Sequence, residues 1–177
     1  MSGHPLLAEF QKECQSTFAC YVFATRGIEH AKEMITSTSP PKGARVFISE
    51  TDPNLKAATA TLLAEDLVEK MRRDGEFFDV VAKSLLVLLY AKWDEYYRPL
   101  FAKEVGAEPM NVKCDLLGDL RLIRNCIVHA KSVVTNEHKR LKLVPWKLSP
   151  GPLVVTKEML ALFIEATHHL IVQVHDA

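Results

Sequence analysis

The chain has 177 residues, of which 48% are hydrophobic and 25% are charged, a composition typical of one soluble globular domain. Basic and acidic residues both number 22, so the net charge excludes a uniformly basic protein, and any nucleic-acid surface must be local. The four cysteines show no metal-ligand spacing. They are expected to be buried thiols in a reducing cytoplasm, with no metal or other cofactor.

The most apolar stretch, residues 80–90, is too short to span a bilayer and contains Lys83. The sequence does not open with a basic region followed by an apolar run, so no secretion signal is expected. These features predict a cytoplasmic protein with no membrane partner.

Apolar residues recur at steps of three and four along most of the chain, which predicts helices. The first helix is expected to begin at Leu6 and to end at the breaker cluster of residues 37–43. A second helix is expected to start at Thr51 or Asp52 and to include Leu62 and Leu63 in its apolar stripe.

The third predicted helix, residues 77–97, is apolar on almost every side and should be the central one. Pro99 should kink this helix or start a further short piece. A small hairpin is expected before the last helix, with strands at 141–146 and 153–155, and Thr156 should cap that last helix. The fold prediction is therefore all-α: one domain over residues 1–177, a mostly antiparallel five-helix bundle.

Residues 119–131, which read D-L-R-L-I-R-N-C-I-V-H-A-K, form the most unusual predicted helix. At about 100° per residue, apolar side chains occupy one face and polar side chains occupy the other. The predicted core stripe consists of Leu116, Leu120, Ile123, Ile127 and Ala130. The polar face consists of Arg121, Arg124, Asn125 and His129.

Arg124-Asn125-Cys126-Ile127-Val128-His129 resembles the R-x4-6-H signature of the HEPN superfamily. Residues 118–123 and 130–132 resemble the rest of that family's motif helix. Trp93-Asp94-Glu95-Tyr96 is similar to an aromatic-acidic segment of several HEPN families, and its carboxylates are expected to hold the arginines in place. The predicted bundle agrees with the resemblance over most of the chain.

The resemblance implies a metal-independent endoribonuclease that acts as a homodimer, with its motif helices facing each other across an RNA cleft. Arg124 and His129 would be catalytic and Asn125 would orient the imidazole. Histidine transfers protons near neutral pH, and arginine stabilises charge developing on a phosphate. A toxin or defence role would add an antitoxin or nucleotidyltransferase partner.

Two further basic residues are predicted phosphate contacts, Arg121 from the helical projection and Lys131 after the motif. Lys131 also occupies the position of a tyrosine that a nucleotidyltransferase modifies in another branch of the superfamily, which argues against that subtype. Residues 111–147 contain eight lysines and arginines and only three acidic residues. This local positive charge suits RNA.

Two other interpretations remain open at the level of sequence. The first is a non-catalytic HEPN-like module that binds RNA or a protein through the same face. The second is a helical interaction protein in which the motif is a coincidence. Arg121 and Arg124 would then pair with Asp119 or Glu95 on a solvated surface, and His129 would be a histidine favoured by the helix end.

Overall fold

The computed structural model describes residues 4–48, 60–136, 138 and 140–175. Over this part of the chain the protein is a helical bundle, which confirms the predicted fold class. The helices are α1 (Pro5–Ser37), α2 (Ala64–Lys70), α3 (Glu76–Lys92), α4 (Arg98–Glu104), α5 (Asp115–His129) and α6 (Lys157–Ala166). A π-helical turn at Trp93–Tyr97 joins α3 to α4, so the described residues contain five separate helical stretches.

The strands of the described residues form three antiparallel pairs, each of only two strands. They are β1 (Arg45–Ile48) with β2 (Ala60–Leu63), β3 (Val112–Lys113) with β6 (Gln173–Val174), and β4 (Val133–Val134) with β5 (Gly151–Pro152). The second and third pairs fasten the two ends of the α5 segment to the C-terminal part of the chain.

Helix α1 runs antiparallel to α3 and α6. Near its beginning, the Phe10 ring lies 5.1 Å from the ring of Tyr97, which follows α3. The neighbouring Gln11 donates a hydrogen bond of 2.9 Å to the backbone carbonyl of Thr167, which follows α6. Both contacts join the start of α1 to the far ends of its partners, as the predicted antiparallel bundle requires.

Helix α3 is the central helix, as its apolar sequence predicts, because it contacts α1, α5 and α6. Leu86 and Leu89 of α3 are fully buried, as are Leu120 of α5 and Phe163 of α6. Burial of each such side chain contributes about 1.5–3 kcal/mol. This packing fixes which face of α5 points inward.

Pro99 lies in the first turn of α4 and does not end the helix. Proline lacks the backbone N–H that a regular helix uses, and its ring clashes with the preceding turn. The π-helical turn at Trp93–Tyr97 precedes it, and Pro99 lies in the first turn of α4, where no such donor is needed. Both outcomes allowed by the sequence, a distortion and a further helix, therefore occur together.

The second helix begins later than predicted. Residues 60–63 form β2, so the assignment of Leu62 and Leu63 to a helix is wrong. The cause is a contact with a distant segment: residues 60–63 pair with β1. At the helix start, the Ala64 amide donates a hydrogen bond to the Ala44 carbonyl. The predicted start at Thr51 or Asp52 lies outside the described residues.

The small hairpin predicted before the last helix is also different. The observed pair is β4 with β5, and neither predicted strand, 141–146 or 153–155, is a strand in the structure. Those residues instead direct backbone amides at Asp119 of α5, which removes them from sheet pairing. Thr156 caps α6 as predicted, accepting from the Met159 amide at 3.2 Å.

Among the described residues, no helix has the length and apolar character needed to cross a membrane.

Candidate functional site

The two faces of α5 are divided nearly as its sequence predicts. Leu116, Leu120 and Ile123 are buried, while Ile127 is half-buried. On the opposite side Arg121 and His129 are exposed, and Arg124 and Asn125 are half-buried. The helix therefore presents its polar side chains to solvent and keeps its apolar stripe in the core.

The structure brings three of the predicted site residues together. The Arg124 guanidinium donates to Asn125 Oδ1 at 3.1 Å and lies 2.8 Å from His129 Nε2. Arginine has only donors, so Nε2 accepts this hydrogen bond and the ring hydrogen is placed on Nδ1. The Arg124 guanidinium therefore links Asn125 to His129, and no direct hydrogen bond joins Asn125 to the imidazole.

The end of α5 is shaped by two residues with left-handed backbone. Lys131 has φ 50° and Ser132 has φ 59°, and the Ser132 amide closes the helix by donating to the Cys126 carbonyl at 2.9 Å. This conformation costs about 1–2 kcal/mol for a residue other than glycine. It turns the chain back into β4 immediately after His129, so the histidine lies on the last turn of the helix.

The two predicted phosphate contacts lie at opposite ends of the polar face. Arg121 and Lys131 are both exposed, and neither forms an ion pair with a described residue. Arg121 precedes His129 by eight residues, which is about 12 Å along the helix axis. Lys131 lies beyond the helix end. The structure therefore spreads positive charge along the face and does not gather it at one point.

Asp119 is a residue whose role the sequence did not reveal. It is only 2% exposed, and its carboxylate accepts hydrogen bonds from the backbone amides of Lys142, Leu143 and Val144 at 2.7–2.9 Å. It pairs with neither Arg121 nor Arg124. An acidic residue beside the core stripe of α5 was the signal that could have indicated such a buried anchor.

The carboxylates of the aromatic-acidic segment form no ion pair with Arg121 or Arg124 among the described residues. Asp94 pairs with Arg98 one turn later at 2.7 Å, and Trp93 is buried. Glu95 is exposed and forms no ion pair with a described residue. The expectation that these carboxylates hold Arg121 and Arg124 in place is wrong, because the π-helical turn directs Asp94 along its own helix.

Asp119 also anchors one wall of a cavity of about 340 Å³ beside the first half of α5. The floor is mostly apolar, with the buried Trp93, Val112 and Leu117. The basic residues that line this cavity, called the basic cavity below, are Arg98, Lys113, Arg121, Arg140 and Lys142. Tyr90 forms part of the wall, and burial raises the pKa of its phenol, so the hydroxyl remains protonated at neutral pH.

An apolar surface adjoins the Arg124–His129 pair. Val128, between the two site residues in sequence, is 47% exposed, and Val80 and Leu88 of α3 are 52% and 47% exposed. A shallow groove of about 410 Å³ lies between α3 and α5, lined by Val80, Lys83, Ser84, Val87 and Ile127. Exposed apolar side chains beside a groove of this kind are a candidate contact surface for another molecule.

Cys126 lies within the motif but faces the core. It is 1% exposed, and burial raises the pKa of its thiol. The protonated thiol is a poor nucleophile and a poor metal ligand. In the described part of the chain, no three His, Cys, Asp or Glu residues are grouped so that they could hold a metal ion.

Comparisons of this chain with models of known protein families, with curated proteins and with solved structures find no match.

Proposed function

We propose that the chain is a HEPN-type, metal-independent endoribonuclease whose active site contains Arg124 and His129. The observation that carries the proposal is the 2.8 Å contact between the Arg124 guanidinium and His129 Nε2 on a solvent-facing helix end. It joins a phosphate-binding group to a proton-transfer group, and no carboxylate of the described residues forms an ion pair with Arg124. This pairing suits cleavage of a phosphodiester.

The proposed reaction is attack by the 2′-oxygen of RNA on the adjacent phosphorus. His129 Nε2 takes the 2′-hydroxyl proton, a new O2′–P bond forms, and the P–O5′ bond breaks. The leaving 5′-oxygen receives a proton from a second imidazole. The products are a 2′,3′-cyclic phosphate and a 5′-hydroxyl, while Arg124 stabilises the charge on the phosphorane.

A second copy of the chain supplies the second imidazole. The described part of one copy places no other histidine in contact with Arg124. The exposed Val80, Leu88 and Val128 beside the pair provide an apolar surface through which two copies could pack. Facing motif helices would place two histidines and two arginines on one cleft, with Arg121 and Lys131 as phosphate contacts along it.

The runner-up function is a non-catalytic RNA-binding or protein-interaction module with the same face. It is favoured by the occupied lone pair, because His129 Nε2 already accepts from Arg124. For catalysis, the Arg124 guanidinium must give up its hydrogen bond to His129 Nε2 and bind the RNA phosphate. Nε2 can then accept the proton of the 2′-hydroxyl. A module that only holds RNA requires no such exchange.

The test is RNA cleavage in EDTA by the purified full chain and by His129→Ala and Arg124→Ala. Each substitution is expected to lower the cleavage rate about 100-fold or more. His168→Ala, which removes an exposed histidine from the turn after α6, is the matched control and should cut at the parental rate. The products should carry 2′,3′-cyclic phosphate, and RNA with a 2′-deoxy residue at the cleaved position should remain intact.

Two results separate the nuclease from the non-catalytic module and test the assigned site. A parent that leaves every RNA intact, yet binds RNA through Arg124, supports the non-catalytic module. Cleavage by an Arg124→Ala/His129→Ala double variant at the parental rate would show that the assigned site is wrong.

In the cytoplasm, an active enzyme of this kind would act as a toxin or defence effector. An antitoxin or a nucleotidyltransferase would restrain it, and a gene for such a partner next to this one would support that role.

A further inference from the structure

We propose that the basic cavity beside the first half of α5 binds a small phosphate monoester. The phosphate would lie on the basic rim and a flat or apolar organic group would lie on the floor. The cavity shares Arg121 with the proposed RNA cleft but contains neither Arg124 nor His129, so the proposal does not depend on RNA cleavage.

The charges of the lining residues point to a dianion. Arg98 is neutralised by Asp94 and Lys142 by Asp115, both at 2.7 Å, and Asp119 is satisfied by backbone amides. Lys113, Arg121 and Arg140 also line the cavity and form no ion pair with a described residue. The Asp119 carboxylate also lines the cavity and offsets one of these three cations, so the lining keeps a net charge of about +2. That charge matches a phosphate monoester, which carries about −1.5 to −2 charges at pH 7, better than a single carboxylate.

The type of cation also favours phosphate. Two of the three unpaired residues, Arg121 and Arg140, are arginines, whose planar fork can bind two phosphate oxygens at once. These groups offer more donors than a carboxylate or a lone aromatic ring can use.

The size and floor of the cavity define the organic part of the ligand. Trp93, Leu117 and Leu122 give an apolar floor, and the volume of about 340 Å³ lies within the range of small-molecule sites. An aromatic ring on this floor would contact Trp93 while its phosphate reached the rim. A bare inorganic anion would leave the floor unfilled.

Asp119 prepares this site by fixing one side of the rim. Its carboxylate binds the amides of residues 142–144, so the segment that carries Arg140 and Lys142 is held against α5 without any ligand. A preformed rim lowers the ordering cost of binding. Asp119 is therefore a positioning residue for the cavity.

The test is titration of the full chain with phenyl phosphate by calorimetry at low ionic strength, with benzoate and inorganic phosphate as comparison ligands. Phenyl phosphate should bind about tenfold or more tightly than either one, because only it has both the dianion and the ring. Arg140→Ala should weaken phenyl phosphate about tenfold or more. Arg45→Ala, which removes another exposed arginine, one from β1 that forms no ion pair with a described residue, should leave the affinity unchanged.

Each alternative outcome overturns part or all of the proposal. Equal binding of benzoate and phenyl phosphate would reject the preference for a dianion, and equal weakening by Arg45→Ala would reject the basic cavity as the binding site.

An RNA phosphodiester is the other source of a phosphate beside a ring. If single-stranded RNA displaces phenyl phosphate and loses affinity in Arg140→Ala, the cavity belongs to the RNA path and the small-ligand site is rejected. Unchanged phenyl phosphate binding in His129→Ala would keep this result separate from the test of cleavage.

Discussion

The two halves of α5 carry polar residues that are used in opposite ways. In the first half Asp119 is buried and accepts hydrogen bonds from three backbone amides, so it holds the fold together. In the second half the side chains of Arg124, Asn125 and His129 form hydrogen bonds with one another and with no other described side chain. One helix therefore contains a structural carboxylate and a group of side chains available to a ligand. The two differ in burial and in whether their hydrogen bonds reach a distant segment of the chain.

The largest expected effect that tests this contrast is on stability. Asp119→Ala removes the buried acceptor of three backbone amides, of which that of Val144 is itself buried, and should lower the free energy of unfolding by about 3 kcal/mol or more. His129→Ala should change it by no more than about 0.5 kcal/mol, because the side chain is exposed. Urea denaturation of both variants measures the two values.

The matched control is Asp115→Ala, which removes an exposed carboxylate from the same helix. Its salt bridge with Lys142 and its position in the first turn should together be worth about 1 kcal/mol or less. If Asp115→Ala were as destabilising as Asp119→Ala, the anchoring role of Asp119 would be refuted.

A second effect concerns the core side of the motif half. Cys126 and Cys14 are 1% and 0% exposed, and burial raises the pKa of both thiols, that of Cys14 to about 12. The exposed Cys20 should react with a maleimide about 100-fold faster or more than either one, because the thiolate is the reacting form.

Mass spectrometry of partially labelled native protein identifies the modified cysteine, and Cys20→Ser should abolish the fast reaction. Fast labelling of Cys126 would show that the second half of α5 does not pack as its core stripe indicates. In urea all four cysteines should react alike.

The smallest expected effect lies at the helix end. Ser132 has φ 59°, a left-handed conformation that strains any residue with a side chain but not glycine. Ser132→Gly should therefore raise the free energy of unfolding by about 0.5–1 kcal/mol. Thermal unfolding measures the gain. Ser37→Gly, in the last turn of α1, should instead destabilise the protein, and a loss in Ser132→Gly would show that its left-handed backbone is not strained.

The sequence by itself determined the helices whose apolar pattern is long and regular. α1, α3 and α5 were predicted close to their observed bounds, because apolar periodicity over several turns leaves few other ways to bury the same side chains. It also placed Arg121, Arg124, Asn125 and His129 on one face of α5, since helix geometry alone fixes that arrangement.

The tertiary structure decided what local pattern leaves undefined. Leu62 and Leu63 became a strand because β1 lay beside them, and residues 141–146 left the predicted hairpin because Asp119 captured their amides. The partners of Arg124 also depend on the tertiary structure. Asp94 forms an ion pair with Arg98, and the Arg124 guanidinium forms hydrogen bonds with Asn125 and His129. Periodicity assigns a residue to a face, but contacts between distant segments assign its partner.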